Sequence, residues 1–322
     1  LYFFDLKVVL LSAGLGKRLE PITYSIPKPM IPISGKPILG YIIDDLKKLG
    51  FTDFCIVIGH LGEKIKQYFG DGTNFNVKIS YVEQEIFSGT ATATKLAKNF
   101  VNDSPFLLYL ADTIIPKNLR NYIQNMINSN FEINLLSSQI NSSEIGNVGN
   151  IEVKNECVSK ISEKTLSSKS NLAWAGIAFF KNNYIFKMIE QLSPSQRGEF
   201  EITDAMNLVL ENNVKIGNFT CDGYIDAGTI SGLLELNTFI LNLQQRTTQN
   251  SSNIHYPVYI GNQCTIGKNV ELGPSVSIGD GVNIGDNVKI KNSLIFNNSK
   301  ISSNQNISNS IIDDNQNILS LK

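Results

Sequence analysis

Over the first third of the chain the apolar positions come in two alternating forms. Short unbroken blocks, Val8-Val9-Leu10-Leu11, Phe54-Cys55-Ile56-Val57-Ile58 and Phe106-Leu107-Leu108-Tyr109-Leu110, read as strands buried on both faces. Between them apolar residues recur at helical spacing. The pattern predicts strands over 7–12, 54–58, 77–82 and 106–110, and helices over 38–49, 64–69 and 92–100, the first with apolar residues at 38, 39, 42, 43, 46 and 49 and closed by Gly50. Such alternation implies an α/β fold, a Rossmann-like mixed, mostly parallel sheet with helices on both faces and ligands at the carboxyl ends of the strands.

From Ile133 to Phe180 the strand signals spread out and the connections turn polar, notably Ser137–Glu144 and Thr165–Asn171, which suggests a subdomain laid over the sheet to receive a second substrate. Helices are expected over 184–191, 202–211 and 233–245, and strands over 215–219 and 221–225. The polar stretch 244–253 reads as a linker that ends a first domain at 243.

Beyond the linker, over 254–322, the period changes. Ile260-Gly261-x-x-Cys264, Ile266-Gly267-x-x-Val270, Leu272-Gly273-x-x-Val276, Ile278-Gly279-x-x-Val282 and Ile284-Gly285-x-x-Val288 recur every six residues, and Ile290 to Leu294 continues the series with Lys291 in the glycine position. A fixed short period means a solenoid. Each unit supplies a large and a smaller apolar residue to an interior, so three units form one coil of a parallel β-helix, with about three to four coils and a ragged last one. After Phe296 the sequence turns rich in Asn and Ser while Ile301, Ile307, Ile312 and Ile318 keep an approximate spacing.

Charge narrows the partners. The chain has 28 basic and 29 acidic side chains, a net charge of -1, so no global field recruits nucleic acid or an anionic membrane. Cys55, Cys157, Cys221 and Cys264 are scattered without a CxxC spacing, which argues against a disulfide framework or a zinc site and suits buried thiols in a reducing compartment. No apolar run approaches the roughly 20 residues that cross a bilayer, and no leader pattern is visible, so the expected location is cytoplasmic. The first four residues, Leu1-Tyr2-Phe3-Phe4, are left out of the functional reading.

An anionic ligand must therefore be gripped locally, and one stretch offers the means. The apolar run Val8–Leu11 breaks into Ser12-Ala13-Gly14-Leu15-Gly16-Lys17-Arg18-Leu19, followed by Pro21, Thr23 and Pro27-Lys28-Pro29-Met30. Glycines at a strand end expose backbone N–H groups to a phosphate. The loop has no Walker Gly-Lys-Ser/Thr, and Leu19 stands where a third GxGxxG glycine would be, which disfavours a P-loop kinase and a dinucleotide-binding dehydrogenase. Arg18 and Lys28, two cations held among prolines, suit a triphosphate whose charge grows on a departing pyrophosphate.

These residues resemble the signature loop of the sugar-1-phosphate nucleotidyltransferases. Gln84 with Gly89-Thr90-Ala91, Leu110-Ala111-Asp112, Ile161-Ser162-Glu163-Lys164, Ser170-Asn171-Leu172, Gly198-Glu199-Phe200-Glu201-Ile202-Thr203-Asp204 and Asp226-Ala227-Gly228-Thr229 follow in the family's order. With its hexapeptide tail, for which the resemblance implies a left-handed β-helix, the chain is most similar to the long-form glucose-1-phosphate thymidylyltransferases.

The resemblance implies transfer of a nucleotidyl group from dTTP or UTP to glucose 1-phosphate or a similar sugar phosphate, with release of pyrophosphate. Arg18, Lys28 and Lys164 would be catalytic, Asp112 and Asp226 would hold Mg²⁺, and Leu10, Ala13, Gly14, Gly16, Gln84 and Gly89 would bind the nucleotide. Gly149, Glu163, Lys164, Asn171, Gly176 and Glu199 would line the sugar-phosphate site, and the chain would form a homo-oligomer with nucleoside triphosphate and sugar 1-phosphate as its ligands. Lys17 stands where threonine is usual, Pro29 where thymidylyl-transferring members have glutamine, and Trp174 where a smaller residue is common. Gln84, five residues before Gly89, favours a pyrimidine. Alternatives are a mannose-1-phosphate guanylyltransferase-like or N-acetylglucosamine-1-phosphate uridylyltransferase-like enzyme and, from another class, a non-catalytic exchange-factor-like subunit. Acetyl transfer by the tail typically needs a histidine base, and only His60 and His255 exist.

Overall fold

The computed structural model describes residues 6–166, 168–244 and 253–321, so most of the expected linker at 244–253 lies outside the described residues. The chain divides into two compact units, one from the described residues of Leu1–Leu15 with Ile42–Tyr224, the other from Gly16–Tyr41 with the described residues of Ile225–Lys322.

The first unit is built on β1 (Lys7–Ser12), β2 (Asp53–Ile58), β3 (Lys78–Glu83), β4 (Phe106–Leu110), β5 (Ile133–Gln139), β6 (Gly149–Lys154), β7 (Cys157–Glu163), β8 (Leu172–Phe180) and β9 (Ile216–Cys221). They form one nine-stranded sheet in the order β3-β2-β1-β4-β8-β5-β9-β7-β6. Neighbours among β3, β2, β1 and β4 run parallel, as do β5 and β9. The β8 contacts with β4 and β5, and those of β7 with β9 and β6, are antiparallel. The sheet is mixed, as expected, but parallel pairing dominates only its first four strands; beyond them, among the described residues, only β5 and β9 run parallel. Asn155 and Glu156, both at positive φ (52° and 63°), make the tight β6–β7 turn, a two-residue connection that only antiparallel strands accept. Residues 133–180 extend this same sheet rather than forming a layer over it, and the β5 strand continues through Ser137 and Ser138, both buried, where the sequence suggested a polar connection.

Helices α1 (Ile38–Leu49), α2 (Gly62–Phe69), α3 (Thr90–Leu96), α4 (Lys98–Val101), α5 (Leu119–Asn128), α6 (Tyr184–Ile189) and α7 (Ile202–Glu211) complete the pattern. The expected helix over 92–100 is two helices broken at Ala97, and α5 was not anticipated. Val9, Val57, Leu108, Leu135 and Ala178 share one apolar cluster with Ala91, Ile185, Met206 and Val209 from α3, α6 and α7. Their strand neighbours Val8, Leu10, Phe54, Ile56 and Leu107 are equally buried on the opposite face, which is what continuous apolar strands require.

In the second unit, α8 (Ile230–Gln244) is followed by three small sheets. Val258–Ile260, Val276–Ile278, Ser293–Ile295 and Ser310–Ile312 pair in parallel, and Ile318–Ser320 closes that sheet antiparallel. Thr265–Ile266, Asn283–Ile284 and Lys300–Ile301 form the second sheet, and Glu271–Leu272, Lys289–Lys291 and Asn306–Ser308 the third. Val276, Val282, Val288, Ile278, Ile284, Ile290, Ile295, Ile301, Ile307 and Ile312 face one shared apolar interior.

The repeat shifts phase twice, since partners lie 18 residues apart in the first coil and 17 in each of the next two. Val258 pairs with Val276, 18 residues on, whereas Val276 pairs with Ser293, 17 residues on. Ile295 thus takes the interior place of Ile278, and Leu294, expected in the repeat, pairs with Ser277 on the other face, where α8 packs. The Asn-rich tail is corner chemistry. Asn269, Asn287 and Asn304 each adopt φ near 60° (54°, 59° and 62°), and their side chains form a ladder with bonds of 3.1 and 3.0 Å. Asparagine tolerates this left-handed conformation where other side chains resist it.

All four cysteines are unbridged; Cys55 and Cys221 are buried as expected, while Cys157 and Cys264 are partly exposed. Among the described residues no helix is long and apolar enough to cross a membrane.

Candidate active site

In the second unit the signature loop is shaped by Gly16. Its φ of 70° is left-handed, an added Cβ would lie 2.8 Å from Thr23 Cγ2, and Thr23 Oγ1 donates to its carbonyl at 3.1 Å. Short 3-10 turns follow at Lys17–Leu19, Ile22–Tyr24 and Lys28–Met30, anchored by buried Leu19, Ile22 and Pro29. Pro29 therefore serves the turn, and Lys17 is exposed.

Arg18 Nη2 donates to Asp226 Oδ2 at 3.2 Å, and the Gly228 N–H donates to Asp226 Oδ1 at 2.8 Å. A Cβ added at Gly228 would lie 2.7 Å from Arg18 Nη2, 2.8 Å from Asp226 Oδ1 and 3.4 Å from Lys28 Nζ. Arg18, Lys28 and Asp226, far apart in sequence, converge on bare backbone. The Arg18 side chain is 56% exposed, so the ion pair itself adds at most about 1 kcal/mol to stability. Its consequence is chemical: two cations and one carboxylate crowd the space that a side chain at Gly228 would fill.

In the first unit Leu10 and Ala13 are buried at the carboxyl end of β1, and Gly14 is exposed with nothing within 4 Å of a Cβ position. Gln84 Nε2 donates to the Gly89 carbonyl at 3.0 Å and to Thr92 Oγ1 at 2.9 Å. Gly89 has φ 120°, and its Cβ position lies 2.7 Å from the Phe200 N and 2.9 Å from the Phe200 C, so no other residue fits. Phe200 N–H bonds Ser88 O at 2.7 Å and Ala91 N–H bonds Phe200 O at 2.8 Å, stitching this loop to the start of α7.

Glu163, at the end of β7, pairs in register with Gly149 of β6. A Cβ on Gly149 would come within 2.9 Å of Glu163 Oε2, which also accepts from Thr203 Oγ1 at 3.2 Å. Lys164 Nζ lies 3.5 Å from Glu163 Oε1. Glu199 lies 3.6 Å from Arg197, whose Nη1 is 3.9 Å from Glu163. Gly149, Glu163, Lys164 and Glu199 thus gather around one corner. Asn171 instead donates to Gln139 at 3.4 Å. Gly176, at φ 70°, forms a bulge in β8 against Thr113 and Leu110, beside Asp112. Trp174 belongs to the apolar cluster and braces that bulge, its Nε1 donating to Ile177 O at 2.9 Å.

Three residues at this corner have no role assigned from the sequence, although Thr90 and Glu201 lie in its motifs: Arg197, Glu201 and Thr90. Arg197 Nη1 donates to Glu201 Oε1 at 2.9 Å, and Thr90 Oγ1 donates to Glu201 Oε2 at 3.2 Å. Burial first, then the nearby Glu163 carboxylate, pushes the Glu201 carboxyl up to about 7. Burial and Glu163 likewise raise Asp204. The available signal was the density of acids after Arg197, which exceeds what one helix start needs.

Among the described residues no three His, Cys, Asp or Glu side chains gather to hold a metal. Asp112 in the first unit and Asp226 in the second each carry a hard carboxylate of the kind Mg²⁺ takes, an ion that completes its shell with water and substrate phosphate. Each Asp226 oxygen accepts one of these hydrogen bonds and has further lone-pair capacity.

Residues 254–321 match the GMPPB C-terminal domain, and residues 7–243 match the nucleotidyl transferase family. The low-salt glycan biosynthesis nucleotidyltransferase Agl11 of Haloferax volcanii is 35% identical over 238 residues, 73% of this chain and 66% of that protein. A bifunctional protein GlmU of Methanococcus aeolicus is 37% identical over 72% of this chain and 54% of its own length. The match thus spans less than two thirds of each of these relatives. A crystal structure from Bacillus anthracis, described as a glucose-1-phosphate thymidylyltransferase in complex with a sucrose, superposes with a TM-score of 0.65 at 29% identity, over 76% of this chain and 98% of that one. With its loop, its strand-end residues and nearly three quarters of its length in agreement, this chain belongs to the nucleotidyl transferase family.

Proposed function

We propose that the protein transfers a pyrimidine nucleotidyl group from dTTP or UTP to glucose 1-phosphate or a similar sugar 1-phosphate, releasing pyrophosphate. The observation that carries this reading is the convergence of Arg18, Lys28 and Asp226 on the bare backbone of Gly228. An oxygen of the sugar phosphate, already ionised at neutral pH, attacks the α-phosphorus in line as the bond to the β-phosphate breaks. No general base is required, and catalysis is positioning and charge stabilisation. Arg18 and Lys28 stabilise the departing pyrophosphate; Lys164 orients the acceptor phosphate, and Glu163 accepts from a sugar hydroxyl. Bound at Asp112 and Asp226, Mg²⁺ would supply charge neutralisation at the phosphates.

Gln84 supports thymine or uracil over cytosine. Both of its N–H protons are committed to Gly89 and Thr92, leaving only its oxygen for a base. An acceptor matches the protonated N3 of thymine or uracil and mismatches the bare N3 of cytosine. The three C-terminal sheets support a parallel β-helix, left-handed as the family resemblance implies, which assembles a cytoplasmic homo-oligomer or regulates the enzyme in this reading.

Pyrophosphate release tests it, measured over dTTP, UTP, CTP and GTP against glucose-, N-acetylglucosamine-, galactose- and mannose-1-phosphate. Turnover is expected with dTTP or UTP and glucose 1-phosphate, and loss of it in folded Arg18→Ala and Asp226→Ala. Near-normal activity in either variant rejects the assignment. Turnover with GTP and mannose 1-phosphate alone would favour the guanylyltransferase alternative.

A further inference from the structure

Glu201 occupies the residue just before α7, where an acidic side chain ordinarily turns back to cap the helix. It makes no such cap. Thr90 of α3 takes that place instead, its Oγ1 accepting the Ile202 N–H at 2.9 Å. The same hydroxyl gives its proton to Glu201 Oε2 at 3.2 Å, which leaves Oε1 for the Arg197 guanidinium at 2.9 Å. The Glu201 side chain is 4% exposed, whereas Arg197 is 39% exposed. A buried carboxylate anchored on two sides therefore holds a cation that reaches solvent.

The charges around that cation are Glu163 on β7, Glu199 and Glu201 before α7, and Lys164, 3.5 Å from Glu163. Of the three carboxylates only Glu201 contacts Arg197 within 3 Å. The other two lie at 3.9 and 3.6 Å, beyond hydrogen-bond range, so neither fixes the direction of the guanidinium.

We infer that Glu201 is a positioning residue for the acceptor phosphate: it aims Arg197 beside Lys164 and, through Thr90, ties that aim to the Gly89 loop. The inference rests on the nucleotidyl-transfer reading and deepens it. A sugar 1-phosphate is a dianion, and Arg197 with Lys164 supplies two donors of matching charge at the Glu163 corner. Thr90 follows Gly89 directly, so whatever orders the Gly89 loop also orders Glu201.

The test separates the two substrates. Glu201→Gln keeps shape and the contact with Thr90 but removes the charge that holds Arg197. It is expected to raise the KM for glucose 1-phosphate about 10-fold or more, the scale of one charged hydrogen bond, with the KM for the nucleoside triphosphate within about twofold. Thr90→Val should raise the acceptor KM several-fold, and Thr90→Ser should restore it; this pair carries the test if Glu201→Gln does not fold. An acceptor KM within about twofold of wild type in the folded variant overturns the proposal, as does a parallel rise of both KM values, which would indicate a merely structural role. Calorimetric titration of glucose 1-phosphate provides a readout without turnover. Wild type that turns over normally while Glu201→Gln changes nothing refutes only this inference; wild type that neither turns over nor binds glucose 1-phosphate removes the function reading and this inference together.

Discussion

Replacing Gly89 with alanine should separate backbone conformation from close approach at the point where the nucleotide loop meets α7. Two costs add. At φ 120° a residue with a Cβ is strained by about 1–3 kcal/mol. The new Cβ would also press on the Phe200 backbone at 2.7 Å from its N and 2.9 Å from its C, and backbone cannot rotate away as a side chain can. Relief means parting the Ser88–Phe200 and Ala91–Phe200 hydrogen bonds, now 2.7 and 2.8 Å, each worth about 0.5–1.5 kcal/mol net. The total, about 2–6 kcal/mol, is a large part of the stability of an ordinary domain, roughly 5–15 kcal/mol. Gly198→Ala is the control: its φ is 75°, but nothing lies within 4 Å of the new Cβ, so only conformational strain applies, about 1 kcal/mol. Urea unfolding of both variants, compared at equal m-values, gives the difference. Equal losses in the two would refute the close-approach argument.

Two further outcomes follow from buried polar groups. The Glu201 carboxyl, pushed up to about 7 from an ordinary value near 4.5, binds its proton more tightly in the folded state, so its contribution to stability is full below pH 4.5 and is lost as pH rises through 7. The stability of Glu201→Gln relative to wild type should therefore increase between pH 5 and 8, by on the order of 3 kcal/mol; a pH-independent difference in urea unfolding would contradict it. In the second unit, Ser277 Oγ donates to Asn237 Oδ1 at 2.5 Å and lies 3.0 Å from Ser34 Oγ, all three residues being buried. Ser277→Ala leaves the Asn237 oxygen without that donor and should cost about 1–3 kcal/mol in chemical denaturation, whereas a loss below about 0.5 kcal/mol would show that the chain of bonds is dispensable.

The elements most legible in the sequence were those whose packing demand is local and periodic. β1, α1, β4 and α7 have the bounds that their apolar spacing predicts. Elsewhere the tertiary environment overrode composition. Ser137 and Ser138 look like loop residues, yet β5 carries them into the sheet, where Ser137 Oγ donates to the Phe219 carbonyl at 3.4 Å. Leu294 fits the six-residue period by residue type, but the first one-residue phase shift turns it out of the interior and under α8. The same holds for the site. Arg18, Lys28 and Asp226 were recognisable because phosphate chemistry restricts residue type, while Arg197, Glu201 and Thr90 gain meaning only from three hydrogen bonds, two of which cross more than a hundred residues.

By itself, then, the sequence determined the alternation of buried strands and amphipathic helices, the six-residue solenoid period and the cation-bearing glycine loop, because side-chain period and backbone freedom are properties of neighbouring residues. Only the tertiary structure decided where the sheet turns antiparallel, that Arg18 and Lys28 meet at Gly228, that Gly89 is pinned by Phe200, and that Thr90 caps α7 so that Glu201 can hold Arg197. Those facts depend on distances between residues remote along the chain, which no local pattern encodes.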